Sequence, residues 1–233
     1  MKRLLLLSNG HSFGRGYLDH AMPAILEHFG GALHIGFLPF ALRDHPAYTA
    51  RVADRFVREG LEVSPITADA VGASMLQKVD ALYVGGGNTF RLLDGLDRAS
   101  LLEPIRARVL KGMPYLGCSA GTNVAAPTIM TTNDMPIVEL RSFAALGLVP
   151  FQINPHYFDP DPGSRHMGET REARLREYLE ENDRSVVGIR EGGWIKVRDG
   201  QATVEGANGA RVFERGQEPK EIEAGEVLPW TIT

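Results

Sequence analysis

Residues 113–121 read MPYLGCSAG, a short apolar run that passes directly into a glycine-serine-glycine turn. The apolar run is typical of a buried strand, and a G-x-S-x-G pattern between a strand and a helix places its central residue on a strained turn. Such a turn projects the side chain of Ser119, and the N–H groups of the next helix face negative charge that develops there. The pattern predicts Ser119 as a nucleophile; a glycine-rich turn without chemistry is the alternative.

Short apolar runs and amphipathic stretches alternate before this turn. The apolar runs predict strands at residues 2–8, 33–38, 61–66, 80–84 and 113–116. The stretches with helical spacing predict helices at residues 17–29, 46–59, 70–78, 89–96 and 101–111. Near-continuous apolar strands that are separated by helices are typical of α/β proteins. The sequence therefore predicts a mostly parallel sheet with helices on both of its faces.

The second half of the chain has a different pattern. Residues 128–158 have few periodic signals and indicate loops with short strands, whereas residues 168–182 form a charged helical pattern. From residue 186 onward, short apolar segments are separated by the turn dipeptides at 192–193, 199–200 and 208–209. Because such dipeptides favour hairpins, we expect an antiparallel β extension at the C-terminal end. No linker or repeat is visible, so residues 1–233 are expected to form a single domain.

The composition excludes several classes of protein. The 233 residues are 43% hydrophobic and 23% charged, which is ordinary for a globular domain. The net charge of −4 offers no field for nucleic acid or an anionic membrane, so neither is expected as a partner. The early apolar run at residues 4–7 is too short for a secretion signal or a membrane span, which favours a cytoplasmic location. One cysteine and the lack of an H-E-x-x-H motif predict neither a metal nor a cofactor.

A nucleophilic serine requires a base and a carboxylate that orients the base. Among the seven histidines, His156 follows Ile-Asn-Pro in a loop and is the candidate base. Asp134 is the candidate carboxylate, although a turn residue is an equal interpretation, and Glu139 and Asp159 are rivals. These residues lie in a compact part of the chain on the C-terminal side of Ser119.

A second glycine cluster, GGGN at residues 85–88, follows a predicted strand and opens a helix. The N–H groups of Gly86 and Gly87 are candidates for one half of an oxyanion hole, and the N–H of Ala120 is the candidate for the other half. A phosphate-binding turn is the competing interpretation. It is weakly supported, because neither G-x-G-x-x-G spacing nor a following Lys-Ser/Thr pair is present.

Several separate segments together resemble the peptidase E family, the alpha-aspartyl dipeptidases among the serine peptidases. They are LLLLSNG at 4–10, VGGGNTFRLL at 84–93, GCSAGTNVAAPTIMTTNDMPIVE at 117–139, FQINPHYFD at 151–159, HMGETREARLRE at 166–177 and GGWIKV at 192–197. The resemblance implies Ser119 as nucleophile, His156 as general base and Asp134 as the third member of the triad. It also implies a fold similar to that of class I glutamine amidotransferases, in which the elbow carries a cysteine. Residues 158–167 are not aligned.

The resemblance further implies hydrolysis of dipeptides with an N-terminal aspartate through an acyl-enzyme. Arg171 matches the position expected to bind the aspartyl carboxylate, since a guanidinium provides two parallel donors. A surface arginine that pairs with Glu172 or Glu177 is the alternative. A cyanophycinase-like peptidase that acts on β-aspartyl linkages and a non-catalytic binding module are the competing functions. The expected partner is a short peptide with N-terminal Asp, and a homodimer is considered.

Overall fold

The computed structural model describes residues 1–160, 163 and 168–232 of the chain. Its strands are β1 (Leu4–Leu7), β2 (His34–Leu38), β3 (Glu62–Pro65), β4 (Ala81–Val84), β5 (Tyr115–Cys118), β6 (Gln152–Tyr157), β7 (Val186–Arg190), β8 (Gly193–Arg198), β9 (Gln201–Gly206), β10 (Ala210–Phe213) and β11 (Lys220–Ile222). Its helices are α1 (Met22–Phe29), α2 (His45–Val57), α3 (Ala70–Leu76), α4 (Thr89–Arg98), α5 (Leu102–Leu110), α6 (Ala120–Asn123) and α7 (Arg171–Glu181).

The larger sheet has the strand order β3-β2-β4-β5-β1-β8-β9. Its first five strands in that order are parallel, and β8 and β9 continue it in antiparallel pairs. Every leucine of β1 is fully buried, because alternate side chains enter hydrophobic clusters on opposite faces of the sheet. The α/β fold with a mostly parallel, doubly covered sheet and a C-terminal antiparallel extension is therefore confirmed.

The antiparallel extension is divided between two sheets. Strands β7, β10 and β11 join β6 in a smaller sheet of order β11-β10-β7-β6, in which β6 and β7 are parallel. The chain leaves this sheet at Arg190 and enters the larger sheet at Gly193, so a short turn connects the two layers. Buried residues of both sheets, such as Leu6 and Ile189, belong to one hydrophobic cluster.

Two helix starts show how local chemistry sets the boundaries. The predicted first helix begins five residues later than expected, at Met22, because Leu18 adopts a left-handed backbone with φ of 61°. Pro23 then occupies the first turn of α1, where backbone N–H groups have no acceptor within the helix, so the N–H that proline lacks is not needed. Helix α7 begins at Arg171, and the Thr170 hydroxyl accepts from the N–H of Ala173 as an N-cap.

The two faces of the larger sheet carry different layers. Helices α1 and α2 cover one face, and their apolar residues form a cluster with Leu5, Leu7 and Cys118. Helices α4, α5 and α6 and the smaller sheet cover the other face. Among the helices in the described part of the chain, none has the length and apolar character needed to cross a membrane. The carboxyl ends of β1, β4 and β5 meet between the two layers, at the edge where the candidate site lies.

Candidate active site

Ser119 lies on a sharp turn between β5 and α6. Its φ of 51° and ψ of −108° place a residue with a side chain in a left-handed region. Both flanking glycines are sterically required, since a Cβ at Gly117 would lie 2.6 Å from the carbonyl oxygen of Gly121, and a Cβ at Gly121 would lie 2.0 Å from the carbonyl oxygen of Val84. The G-x-S-x-G pattern thus follows from the tightness of the turn itself, at Gly117, and from its close approach to β4, at Gly121.

His156 lies where β6 departs from regular pairing with β7. Its φ is 55°, and the register of the two strands shifts between Pro155 and Tyr157. The backbone N–H of His156 donates to the Ser8 hydroxyl at 2.9 Å, and that hydroxyl donates to the carbonyl of Ile189 at 2.9 Å. This arrangement places Nε2 of His156 2.9 Å from Oγ of Ser119, as a nucleophile and its base require.

Glu191 is the carboxylate that contacts the imidazole. Its Oε1 accepts from Nδ1 of His156 at 2.7 Å, which leaves the Nε2 lone pair directed at the Ser119 hydroxyl. Glu191 lies in the turn between β7 and β8. The adjacent Gly192 N–H donates to Asn9 at 2.7 Å, and Asn208 donates to the carbonyl of Glu191 at 2.7 Å. The turn that connects the two sheets therefore holds this carboxylate in place.

Asp134 differs from its sequence-based expectation. Its Oδ2 accepts from the backbone N–H of Thr89 at 2.7 Å and from the Thr89 hydroxyl at 2.6 Å. The carboxylate thus lies at the start of α4, where unpaired N–H groups favour negative charge, and Glu191 occupies the position beside His156. The rivals lie elsewhere too: Glu139 is exposed, and Asp159 forms an ion pair with Arg190 at 2.7 Å.

Glu191 is not among the carboxylates expected from the sequence, which all lie between Ser119 and Asp159. It follows β7 and comes close to His156 only because the two sheets pack together. One signal was available. An acidic residue stands immediately before the Gly192-Gly193 turn, at the start of a segment that already resembled the family.

The second glycine cluster approaches the Ser119 turn closely. A Cβ at Gly86 would lie 3.2 Å from Cβ of Ser119, and Gly87 has a φ of 139° with the Ala41 carbonyl 2.6 Å from its Cβ position. Ala120 is the first residue of α6, so its N–H has no acceptor within the helix. The backbone of Gly86, Gly87 and Ala120 is therefore near the atom at which a tetrahedral oxyanion would form.

These groups surround a cavity of about 540 Å³. Its lining includes Ser119, His156, Asp134, Glu191 and the Gly86-Gly87 turn, and its remaining wall includes Tyr17, Tyr48 and Arg51. Such a volume is in the range of small-molecule sites in proteins.

Cys118 lies next to the nucleophile in the chain, but its side chain is directed into the protein. It is 2% exposed and belongs to the cluster beneath α1 and α2. Burial raises the pKa of its thiol to about 12, so the thiolate needed for attack is not populated at neutral pH. Cys118 therefore packs in the core and is not the nucleophile.

Arg171 is the first residue of α7 and is not among the described residues that line the cavity. Its guanidinium carbon is 5.2 Å above the ring of Phe158, and it forms no ion pair with Glu172, Glu177 or any other described residue. Burial lowers the pKa of Arg171, and the charge of Arg174 acts in the same direction, while Asp134 opposes both. Most of the segment 158–167 next to it lies outside the described residues.

Comparisons with known proteins show what this chain is similar to. A family model described as "Peptidase family S51" matches residues 4–205. A protein named peptidase E from Streptomyces coelicolor is 52% identical over 225 residues, which cover 97% of this chain and 93% of that protein. A Drosophila melanogaster protein named a probable alpha-aspartyl dipeptidase is 46% identical over 216 residues, covering 91% and 90%.

A solved structure shows the same fold at lower identity. A peptidase from an acI-B1 Actinobacterium superimposes with a TM-score of 0.73 over 98% of this chain and 96% of that chain, at 18% sequence identity. The two proteins therefore share the arrangement of helices and sheets although most of their residues differ.

Proposed function

Since the chain belongs to peptidase family S51, we propose that it is a serine dipeptidase that hydrolyses dipeptides with an N-terminal aspartate. The observation that carries the proposal is the chain of contacts from Ser119 through His156 to Glu191, with distances of 2.9 and 2.7 Å. Its position beside two glycine-rich turns supports acyl transfer, because both an activated nucleophile and oxyanion donors are at hand.

The proposed reaction passes through an acyl-enzyme. His156 takes the proton of the Ser119 hydroxyl through Nε2 as the oxygen attacks the scissile carbonyl carbon. The carbon–nitrogen bond then breaks as His156 returns that proton to the leaving amine. A water molecule attacks the resulting ester with His156 again as base, which releases aspartate and restores the serine. Glu191 holds the imidazole in the required tautomer and stabilises the imidazolium.

The oxyanion would be bound by backbone N–H groups. We assign this role to Ala120 on one side and to the Gly86-Gly87 turn on the other, since both border the Ser119 side chain. Fixed donors of this kind stabilise charge that appears only in the transition state.

Arg171 and Asp134, whose charges act on one another, are proposed to recognise the aspartyl residue. Arg171 would bind its side-chain carboxylate, since the guanidinium carries no ion pair with a described residue. Asp134 would bind the free amino group, because both Thr89 donors use Oδ2 and leave Oδ1 available. A carboxylate at this place gives a physical reason for a preference for unblocked amino termini.

The test is a mass-spectrometric comparison of Asp-Leu, β-Asp-Leu and Asn-Leu with the purified chain. We expect rapid cleavage of Asp-Leu only. Preferred cleavage of β-Asp-Leu would favour the cyanophycinase-like alternative, and no cleavage of any of the three would favour a binding module. Ser119→Ala should lower kcat by several orders of magnitude, whereas Cys118→Ala, which alters the neighbouring buried residue, should retain activity.

The cytoplasmic location and the homodimer considered from the sequence accompany this proposal as predictions. Light scattering of the purified chain measures its assembly directly, and fractionation of cells measures its location.

A further inference from the structure

The Ser119 cavity contains a cation that the proposed reaction has not used. Arg51 lies on α2, and it is the one lysine or arginine among the described residues that line this cavity. Its guanidinium carbon lies 4.7 Å from the ring centre of Tyr48 and 5.1 Å from that of Tyr17. Stacking on two aromatic rings holds the long side chain in a defined position.

The positive charge of Arg51 is not neutralised by a carboxylate of the described residues. The next arginines along the chain are paired: Arg55 of α2 contacts Asp19 and Glu59, and Arg58, just after α2, contacts Asp54. The two tyrosines do not supply negative charge either. Burial raises the pKa of Tyr48 to about 12 and that of Tyr17 well above its usual value, so both hydroxyls are neutral at pH 7.

Arg51 and Asp134 approach Ser119 from opposite faces of the larger sheet. Tyr17 and Tyr48, on which Arg51 stacks, pack in the cluster beneath α1 and α2. Asp134 contacts the first residue of α4, which covers the other face. A ligand whose carbonyl lies at Ser119 can therefore extend toward both groups, with its amino end near Asp134 and its other end near Arg51.

We propose that Arg51 binds the C-terminal carboxylate of the substrate and thereby restricts cleavage to dipeptides. The inference rests on the proposed function, since it assumes that the scissile carbonyl lies at Ser119. One residue separates that carbonyl from the carboxylate of a dipeptide, and each further residue moves the carboxylate by up to about 3.8 Å. A guanidinium binds a carboxylate through two parallel hydrogen bonds. Such a contact therefore favours a peptide of the correct length as well as one with the correct charge.

The kinetic experiment compares Asp-Leu with Asp-Leu amide, which lacks the terminal negative charge. We expect kcat/KM of the unmodified chain to be about 10–100-fold higher for the free acid, the range of a charge-assisted contact. Arg51→Met should abolish this preference by lowering kcat/KM for Asp-Leu alone, and Arg51→Lys should retain part of it. Arg58→Met is the matched control, because Arg58 caps the C-terminal end of α2 and contacts Asp54 outside the cavity, and it should retain the whole preference.

A binding experiment separates this inference from the proposed function. In a Ser119→Ala background, calorimetry should show tighter binding of Asp-Leu than of its amide, and Arg51→Met should remove the difference. If that result is found while Asp-Leu is not hydrolysed by the unmodified chain, the inference holds and the proposed function fails. Equal binding of acid and amide, or an equal loss for both on Arg51→Met at an unchanged melting temperature, would overturn the inference. If Arg51→Met instead weakens the binding of Asp-Leu but not that of Asn-Leu, Arg51 binds the aspartyl side chain and the inference is overturned.

Discussion

The loop at residues 131–136 and the turn at residues 190–193 each bring one carboxylate to the same cavity, but they do so in different ways. The loop holds Asp134 against the N-terminus of α4, so its charge is stabilised by an N–H and a hydroxyl of Thr89. The turn holds Glu191 against the imidazole of His156. The role of each carboxylate follows from the donor it contacts, and not from its proximity to the nucleophile in the sequence.

Apart from loss of the nucleophile, the largest expected effect is that of Glu191→Gln. The amide keeps the shape of the side chain but removes the charge that favours the correct imidazole tautomer, so kcat for Asp-Leu should fall by about 10²–10⁴-fold. Steady-state kinetics beside a thermal melt measure this effect. A kcat within about threefold of the unmodified chain would contradict the role of Glu191 and return Asp134 to consideration.

Arg171→Met should have the next largest effect, confined to one substrate class. Loss of a charge-assisted contact of about 1.5–3 kcal/mol lowers kcat/KM for Asp-Leu by roughly 10–150-fold. Asn-Leu should suffer no comparable loss, since it offers no carboxylate to the guanidinium. Arg174→Met, one turn further along α7 at an exposed position, serves as the control. Equal losses on both substrates would mean that Arg171 has a structural role.

Asp134→Asn should act on binding more than on turnover. Asparagine can still accept from Thr89, so the loop should keep its position, while the ion pair with the substrate amino group is lost. We expect kcat/KM for Asp-Leu to fall by about 10–30-fold, mostly through KM, and the discrimination against N-acetyl-Asp-Leu to shrink. If kcat instead falls as far as in Glu191→Gln, Asp134 takes part in the proton transfer.

Asp159→Asn should give the smallest effect, and it should be an effect on stability. Arg190 holds the pKa of Asp159 below its usual value. The pair therefore stabilises the fold above the unfolded-state pKa of about 3.9, and this contribution is lost as the pH falls through the lower folded-state pKa. Because the Asp159 side chain is 44% exposed, we expect a difference in unfolding free energy of less than about 1 kcal/mol at pH 7. Urea titrations at pH 7 and pH 3 should show this difference shrinking in acid, with kcat unchanged.

The sequence predicted those features that depend on neighbouring residues. The buried strand Leu4–Leu7 follows from its apolar run. The turn around Ser119 follows from its two glycines, because the surrounding backbone leaves no space for a Cβ at either position. The late start of α1 was missed because the helical spacing of residues 17–29 continues through Leu18, whose backbone is left-handed. The division of the C-terminal strands into two sheets was missed for another reason. Hairpin signals specify turns, but they do not specify which sheet each strand joins.

Glu191 could not be selected from spacing alone for the same reason. Its contact with His156 exists only because β7 pairs with β6, which carries His156, while β8 pairs with β1. Asp134 was favoured since it stands in a polar loop soon after the nucleophile, and nothing in that loop indicates that Thr89 donates to it. The positions of Glu191 and Asp134 are both set by contacts between segments that are distant in the sequence.

Ser119 and His156 belong to different layers, since Ser119 directly follows a strand of the larger sheet and His156 lies on a strand of the smaller one. The 2.9 Å between Oγ and Nε2 is thus a distance between two packed layers. Hydrogen bonds such as that from Asn123 to the carbonyl of Ile153, at 2.8 Å, hold these layers together. A displacement of about 1 Å in a reacting geometry can cost on the order of 10²-fold in rate. The kcat of this chain therefore depends on the relative position of the two sheets. A substitution in their common core can slow hydrolysis while every reacting group is still present.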